Sequence, residues 1–130
     1  MARMTPQDIV KNSREVRDSG LDWKKTYATM QGSVQTNEWR IFRTNNTLFW
    51  VHIDKPGVGH FYIFDSDKDN QFFSNVQEFI KAMKVAKYQA LYVDLKTPKL
   101  FEKLQAAGEQ VKYQPMATAD GATVYRGVIV

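Results

Sequence analysis

The sequence predicts a single α/β (α+β) domain, and three observations carry that prediction. A length of 130 residues sits at the commonest domain size, so residues 1–130 should share one core, since a second domain would have too little surface to bury. The hydrophobic period then changes along the chain, from helical spacing before Gly32 to alternation between Glu38 and Phe64. Beyond Phe64, apolar stripes of helical spacing alternate with short apolar runs, as they do where helices pack on a sheet. No Pro-rich, Ser-rich or Gly-rich linker divides the chain, and nothing in it repeats at a fixed period.

The elements follow in order. Thr5-Pro6-Gln7-Asp8 is a helix start: a hydroxyl to cap orphan N–H groups, Pro at the first helical position and an acid at the positive dipole end. The helix is predicted to run to about Ser19 and stop at Gly20, with Ile9, Val10 and Val16 inward and Lys11, Arg14 and Arg17 outward. Trp23, Tyr27 and Met30, at helical spacing within Leu21 to Met30, predict a second short helix before Gly32. Residues 38–43, the Asn45-Asn46 turn and residues 48–53 read as an antiparallel hairpin, and His60 to Phe64 adds a third strand after the Pro56-Gly57 turn.

The second half alternates helix and strand. Ser74-Asn75-Val76-Gln77 has the form of a capping box, followed by the stripe Val76, Phe79, Ile80 and Met83, with Lys81, Lys84 and Lys87 free to face water. Ala90 to Val93 reads as a buried strand. Thr97-Pro98 opens a helix with Leu100, Phe101 and Leu104 inside, and Gly108 ends it. Two last strands, about 110–116 and 123–130, are joined by a loop holding Asp120-Gly121.

Composition narrows the function classes. Without cysteine there is no disulfide framework, thiolate nucleophile or thiolate metal site, which suits a reducing compartment. Met1 to Val10 holds no apolar run of signal-peptide length, and no stretch approaches the roughly 18 apolar residues of a membrane span, so a cytoplasmic protein with no membrane partner is expected. The net charge of +4, spread along the chain without a basic block, points to an acidic partner. His52 and His60, the only histidines, lack the further ligands of a zinc site and read as sheet-surface residues. Asp65, Asp67 and Asp69 alternate as in calcium loops, yet Asn70 stands where the turn Gly belongs and Val76 where the bidentate Glu belongs, so a solvated loop and no metal is expected.

The order helix, helix, three strands, helix, strand, helix, two strands is similar to that of the GNAT N-acetyltransferase superfamily after its first strand. Leu100-Phe101-Glu102-Lys103-Leu104 with Gly108 resembles that family's Leu-Tyr-Glu-Lys segment and the Gly that follows. The resemblance implies a mixed central sheet flanked by helices, and acetyl-CoA held through its pyrophosphate by a Gly-rich loop before a helix N-terminus. The matching connection here, Asp65-Ser66-Asp67-Lys68-Asp69-Asn70-Gln71-Phe72-Phe73, has no Gly and three Asp, which would oppose a polyphosphate. Phe101 stands where the family's usual general acid is Tyr, and a phenyl ring donates no proton. Tyr92 or Tyr88 as acid and His60 as base are the candidates to substitute.

The expectation is therefore an acetyltransferase-like module without catalysis or cofactor. Its analogy is to accessory proteins of tailed bacteriophages, which work in the virion, in assembly or in host interaction. Acetyl-CoA-dependent N-acetyl transfer through an atypical loop is the alternative. A protein partner is expected at Lys11, Arg14 and Arg17 or in the cleft where the family's fourth and fifth strands splay. A nucleic-acid role, with Trp39, Phe42, Phe49, Trp50, Phe61 and Tyr62 as a stacking platform beside Arg40 and Arg43, ranks below it, because alternating strand aromatics are mostly core.

Overall fold

A computed structural model describes residues 3–130. Asp8 N–H donates to Thr5 Oγ1 at 3.2 Å, capping α1 (Pro6–Asn12) as predicted. The single helix predicted to Ser19 is instead two, because Ser13 is extended and its hydroxyl serves both sides. Ser13 Oγ donates to the Val10 carbonyl at 2.8 Å, ending α1, and accepts from Val16 N–H at 3.3 Å, capping α2 (Arg14–Ser19). Gly20 closes α2 at φ +69°, where only Gly is comfortable. Asp22 caps α3 (Trp23–Ser33), so that helix starts later than Leu21 and carries Gly32 inside its last turn.

The hairpin is β1 (Trp39–Thr44) and β2 (Thr47–Lys55), turning at Asn45, whose φ of +51° suits Asn better than most residues. β3 (Val58–Asp65) completes an antiparallel meander. The next helix, α4 (Asp69–Val85), begins five residues before the predicted capping box. Phe72 lies four residues before Val76 and extends the buried stripe by a turn, so Ser74 falls inside the helix and caps nothing. β4 (Ala90–Leu95), α5 (Lys99–Ala106), β5 (Val111–Ala117) and β6 (Thr123–Ile129) follow.

The six strands form one mixed sheet in the order β1-β2-β3-β4-β6-β5, with only the β3–β4 pairing parallel. Alternation splits it into two faces. Phe49, Phe61, Ile63, Leu91 and Val93 meet α4 and α5, where Phe79 stacks on Phe49 at 4.1 Å between ring centroids. Leu48 and Phe64 meet Ile9, Val10, Val16 and Met30 of the first three helices on the opposite face.

Candidate functional site

β3 and β4 are in register only at Val58↔Ala90, Gly59↔Leu91 and His60↔Tyr92, and beyond that point they part. A cavity of ≈ 410 Å³ fills the wedge, within the size range of ligand pockets. Phe61, Ile63, Val93 and Phe72 line it on the α4 side, whereas Tyr62, Asp94 and α2 line it on the other.

At the wide end of the wedge lies the β3–α4 connection. Because α4 starts at Asp69, the connection is only Ser66 to Lys68, and the solvated nine-residue loop predicted from the sequence is a partly buried polar network. Asp65 is 1% exposed; its Oδ1 accepts from Thr47 Oγ1 at 2.9 Å and from Asp67 N–H at 3.0 Å. Asp67 Oδ2 accepts from Asn46 N–H at 2.9 Å and from Asn75 Nδ2 at 2.6 Å, and buried Asn75 also accepts from Asn45 Nδ2. Ser66 N–H donates to the Asn46 carbonyl and Ser66 Oγ to the Ile9 carbonyl. Loop, hairpin turn, α1 and α4 are thereby tied together. Past the loop, no side chain caps α4 at Lys68, which with Asn70 is exposed.

Glu15, in the first turn of α2, reaches the same corner: its Oε2 accepts from Asp65 N–H at 3.0 Å, while Arg14 Nε stands 3.6 Å from Asp65 Oδ2. Burial pushes the Glu15 carboxyl up to about 7, against the opposing pull of the Asp65 N–H. Burial likewise raises Asp65, opposed by its hydrogen bonds from Asp67 N–H and Thr47. These contacts span some fifty residues of sequence, so no local pattern marks Glu15 as part of the site.

The structure brings two of the three candidate acid–base residues together. His60 and Tyr92 face each other in register where the wedge begins, with the His60 ring parallel to Tyr62 at 5.3 Å. His60 Nε2 is buried without a hydrogen-bond partner, 4.0 Å from Asp94 Oδ2. Arg126 clamps Asp94 through two bonds, at 2.8 and 2.9 Å, and holds its carboxyl below the usual range. Tyr88 is apart from them, on the opposite face of the sheet, its ring 3.3 Å from where a Cβ on Gly59 would stand. Phe101 does not line the wedge: it is fully buried, stacked on Tyr113 at 5.2 Å and pressed on the Gly127 α-carbon.

The basic residues of the first helices are distributed differently from one face of one helix. Lys11 Nζ lies over the Trp23 ring at 5.5 Å, Arg14 Nη2 donates to the Asp67 carbonyl at 3.4 Å, and Arg17 is exposed on α2. Of the six aromatics considered as a platform, Phe49 and Phe61 are core, whereas Trp39, Trp50 and Tyr62 stack on one another across the other face. Trp39 is stacked on both of the others, and Tyr62 is 45% exposed. A second, shallower groove of ≈ 260 Å³ runs over β4, β6 and β5 beside Tyr92, Lys112 and Arg126. Among the described residues, no cluster of three or more His, Asp or Glu could hold a metal ion.

No protein-family profile matches the sequence, and no curated protein resembles it in sequence. Solved structures do resemble it in shape. A chimera of the Vibrio cholerae spermidine N-acetyltransferase SpeG and hSSAT superposes with a TM-score of 0.67 at 9% identity, over 98% of this chain and 92% of that one. A GNAT-family acetyltransferase from Streptococcus pneumoniae gives 0.59 at 11% identity, over 99% and 98%. A ribosomal-protein-alanine N-acetyltransferase from Escherichia coli gives 0.58 at 9%, over 95% and 83%. The chain has the GNAT acetyltransferase fold. Among the described residues, no helix is long and apolar enough to cross a membrane.

Proposed function

We propose that this chain is a GNAT-fold binding module for another protein, its cofactor loop turned inward to fasten the fold. The observation that supports this most is the loop's hydrogen bonding. The N–H groups of Asp65, Ser66 and Asp67 are given to Glu15, Asn46 and Asp65 inside the protein, and two carboxylates sit among them. A pyrophosphate brought there would meet acids instead of free donors, at a cost of about 1 kcal/mol per like-charged pair at 4 Å in water and more in a drier site. The burial of Phe101 supports the same reading, since that position offers the wedge no acid. A role in a phage particle or its assembly would suit such a module, and the partner would be another protein before a nucleic acid.

Acetyl transfer is the second reading, and two observations favour it. The N-terminus of α4 is uncapped beside Lys68, which is a place for an anion. Glu15, with a carboxyl near 7, stands in the wedge as a base of suitable strength. The neighbours' own substrates, spermidine and the alanine of a ribosomal protein, are the natural acceptors to try. A thermal-shift titration with acetyl-CoA separates the readings. The module reading expects an unchanged melting temperature up to millimolar ligand; a saturating rise, with thiol released when an acceptor is added, overturns it.

A further inference from the structure

Past His60 and Tyr92, β3 stays bonded to β2 as far as Asp65 and β4 stays bonded to β6 as far as Leu95. Residues 61–65 and 93–95 therefore each have one paired edge and one edge turned toward the other across the wedge. The Asp65 N–H shows the direction, since it leaves the β2 side and goes to Glu15 Oε2. Backbone groups alternate sides along a strand, so those of Phe61 and Ile63 face β4 as well; the His60↔Tyr92 pairing takes the Phe61 N–H, which leaves the Phe61 carbonyl and both Ile63 groups to the wedge. Backbone donors and acceptors lining a cavity call for partners, and main-chain groups on both walls, at Phe61 and Ile63 on one and Asp94 on the other, fit one chemistry best, another main chain.

The walls repeat the period of a strand. Side chains on the α4 side are apolar, Phe61, Ile63 and Val93, and the α2 side carries the polar groups, Tyr62, Glu15 and Asp94, beside Phe64 and Leu21. We propose that an extended segment of a partner protein inserts between β3 and β4, adding a strand to the sheet. Its alternate residues would be apolar toward α4 and polar toward α2. The five residues from Phe61 to Asp65 give such a segment about 16 Å of edge. A second folded copy of this chain does not fit, because both edges lie inside the sheet and are reached only through the mouth of the wedge. This inference rests on the module reading and deepens it by naming the mode of capture.

The test is panning of a displayed library of random twelve-residue peptides on the intact chain, followed by amide exchange with an enriched peptide. Enriched peptides should alternate apolar and polar residues and slow exchange at Ile63 by about tenfold or more. N-methylation of a central peptide residue should weaken binding by about tenfold, the loss of a single main-chain hydrogen bond. Failure to enrich any peptide, protection confined to other amides, or an N-methylated peptide that binds as well as its parent each overturns the insertion. If acetyl-CoA also fails to bind, only the insertion falls. If acetyl-CoA binds and displaces the peptide, the insertion and the module reading fall together.

Discussion

Gly127 and Phe101 show how closely the core fixes single residues. A Cβ at Gly127 would come 2.3 Å from the Phe101 ring, far inside contact distance, and Phe101 is itself held by Tyr113. Gly127→Ala should therefore cost about 1–3 kcal/mol in denaturant unfolding by overpacking, and Phe101→Leu in the same chain should recover part of it. A loss below about 0.5 kcal/mol would mean the ring is free to move. Glu15 makes a different prediction. Its carboxyl binds a proton more tightly folded, near 7, than unfolded, near 4.5. The folded state thus holds more protons between those values, and stability should fall as pH rises from about 4.5 to 7, by up to about 3 kcal/mol. Asp65 is shifted in the same direction and adds to the slope. In Glu15→Gln the fall should shrink; an unchanged pH profile would show that Glu15 titrates normally.

Among the elements, α5 is the plainest case of pattern becoming structure. Leu100, Phe101 and Leu104 are buried as their spacing predicts, and Leu104→Ala should destabilise by about 2–5 kcal/mol, against almost nothing if that face were exposed. Period was a reliable guide for the hairpin and for α5, where one face meets a core, whereas β3 and β4 were marked by their aromatic and apolar content. It failed where a side chain competes with the backbone. Ser13 splits a helix whose apolar spacing continues through it, and the apparent cap at Ser74 hid a start that Phe72, one turn earlier, already marked. The site was less legible than the fold. His60 and Tyr92 were named only as substitutes for a missing acid and base, and it is the strand register that sets them side by side; the acidic loop stood out because its composition departs from the family's. Glu15, Arg126 and the inward turn of Asp65 depend on long-range contacts that no spacing announces. Asn75, which joins the hairpin turn to the loop, read only as the second residue of a capping box.

At the scale of the whole molecule, the proposed function has a GNAT fold keep an open wedge while its β3–α4 loop bonds internally instead of to a phosphate. The modest charge of +4 is interspersed with acids, so the intact chain should not be retained on DNA or RNA at about 0.15 M salt, where exposed charges are screened beyond about 8 Å. The most direct measurement is a titration of isotope-labelled protein with CoA, followed at the backbone amides of residues 65–71. The amides of Asp65, Ser66 and Asp67 already donate within the protein, so the signals of the loop should stay in place up to millimolar CoA. Progressive, saturable shifts of Ser66, Asp67 and Lys68 at stoichiometric CoA would show that the loop opens to a phosphate, and would contradict the account.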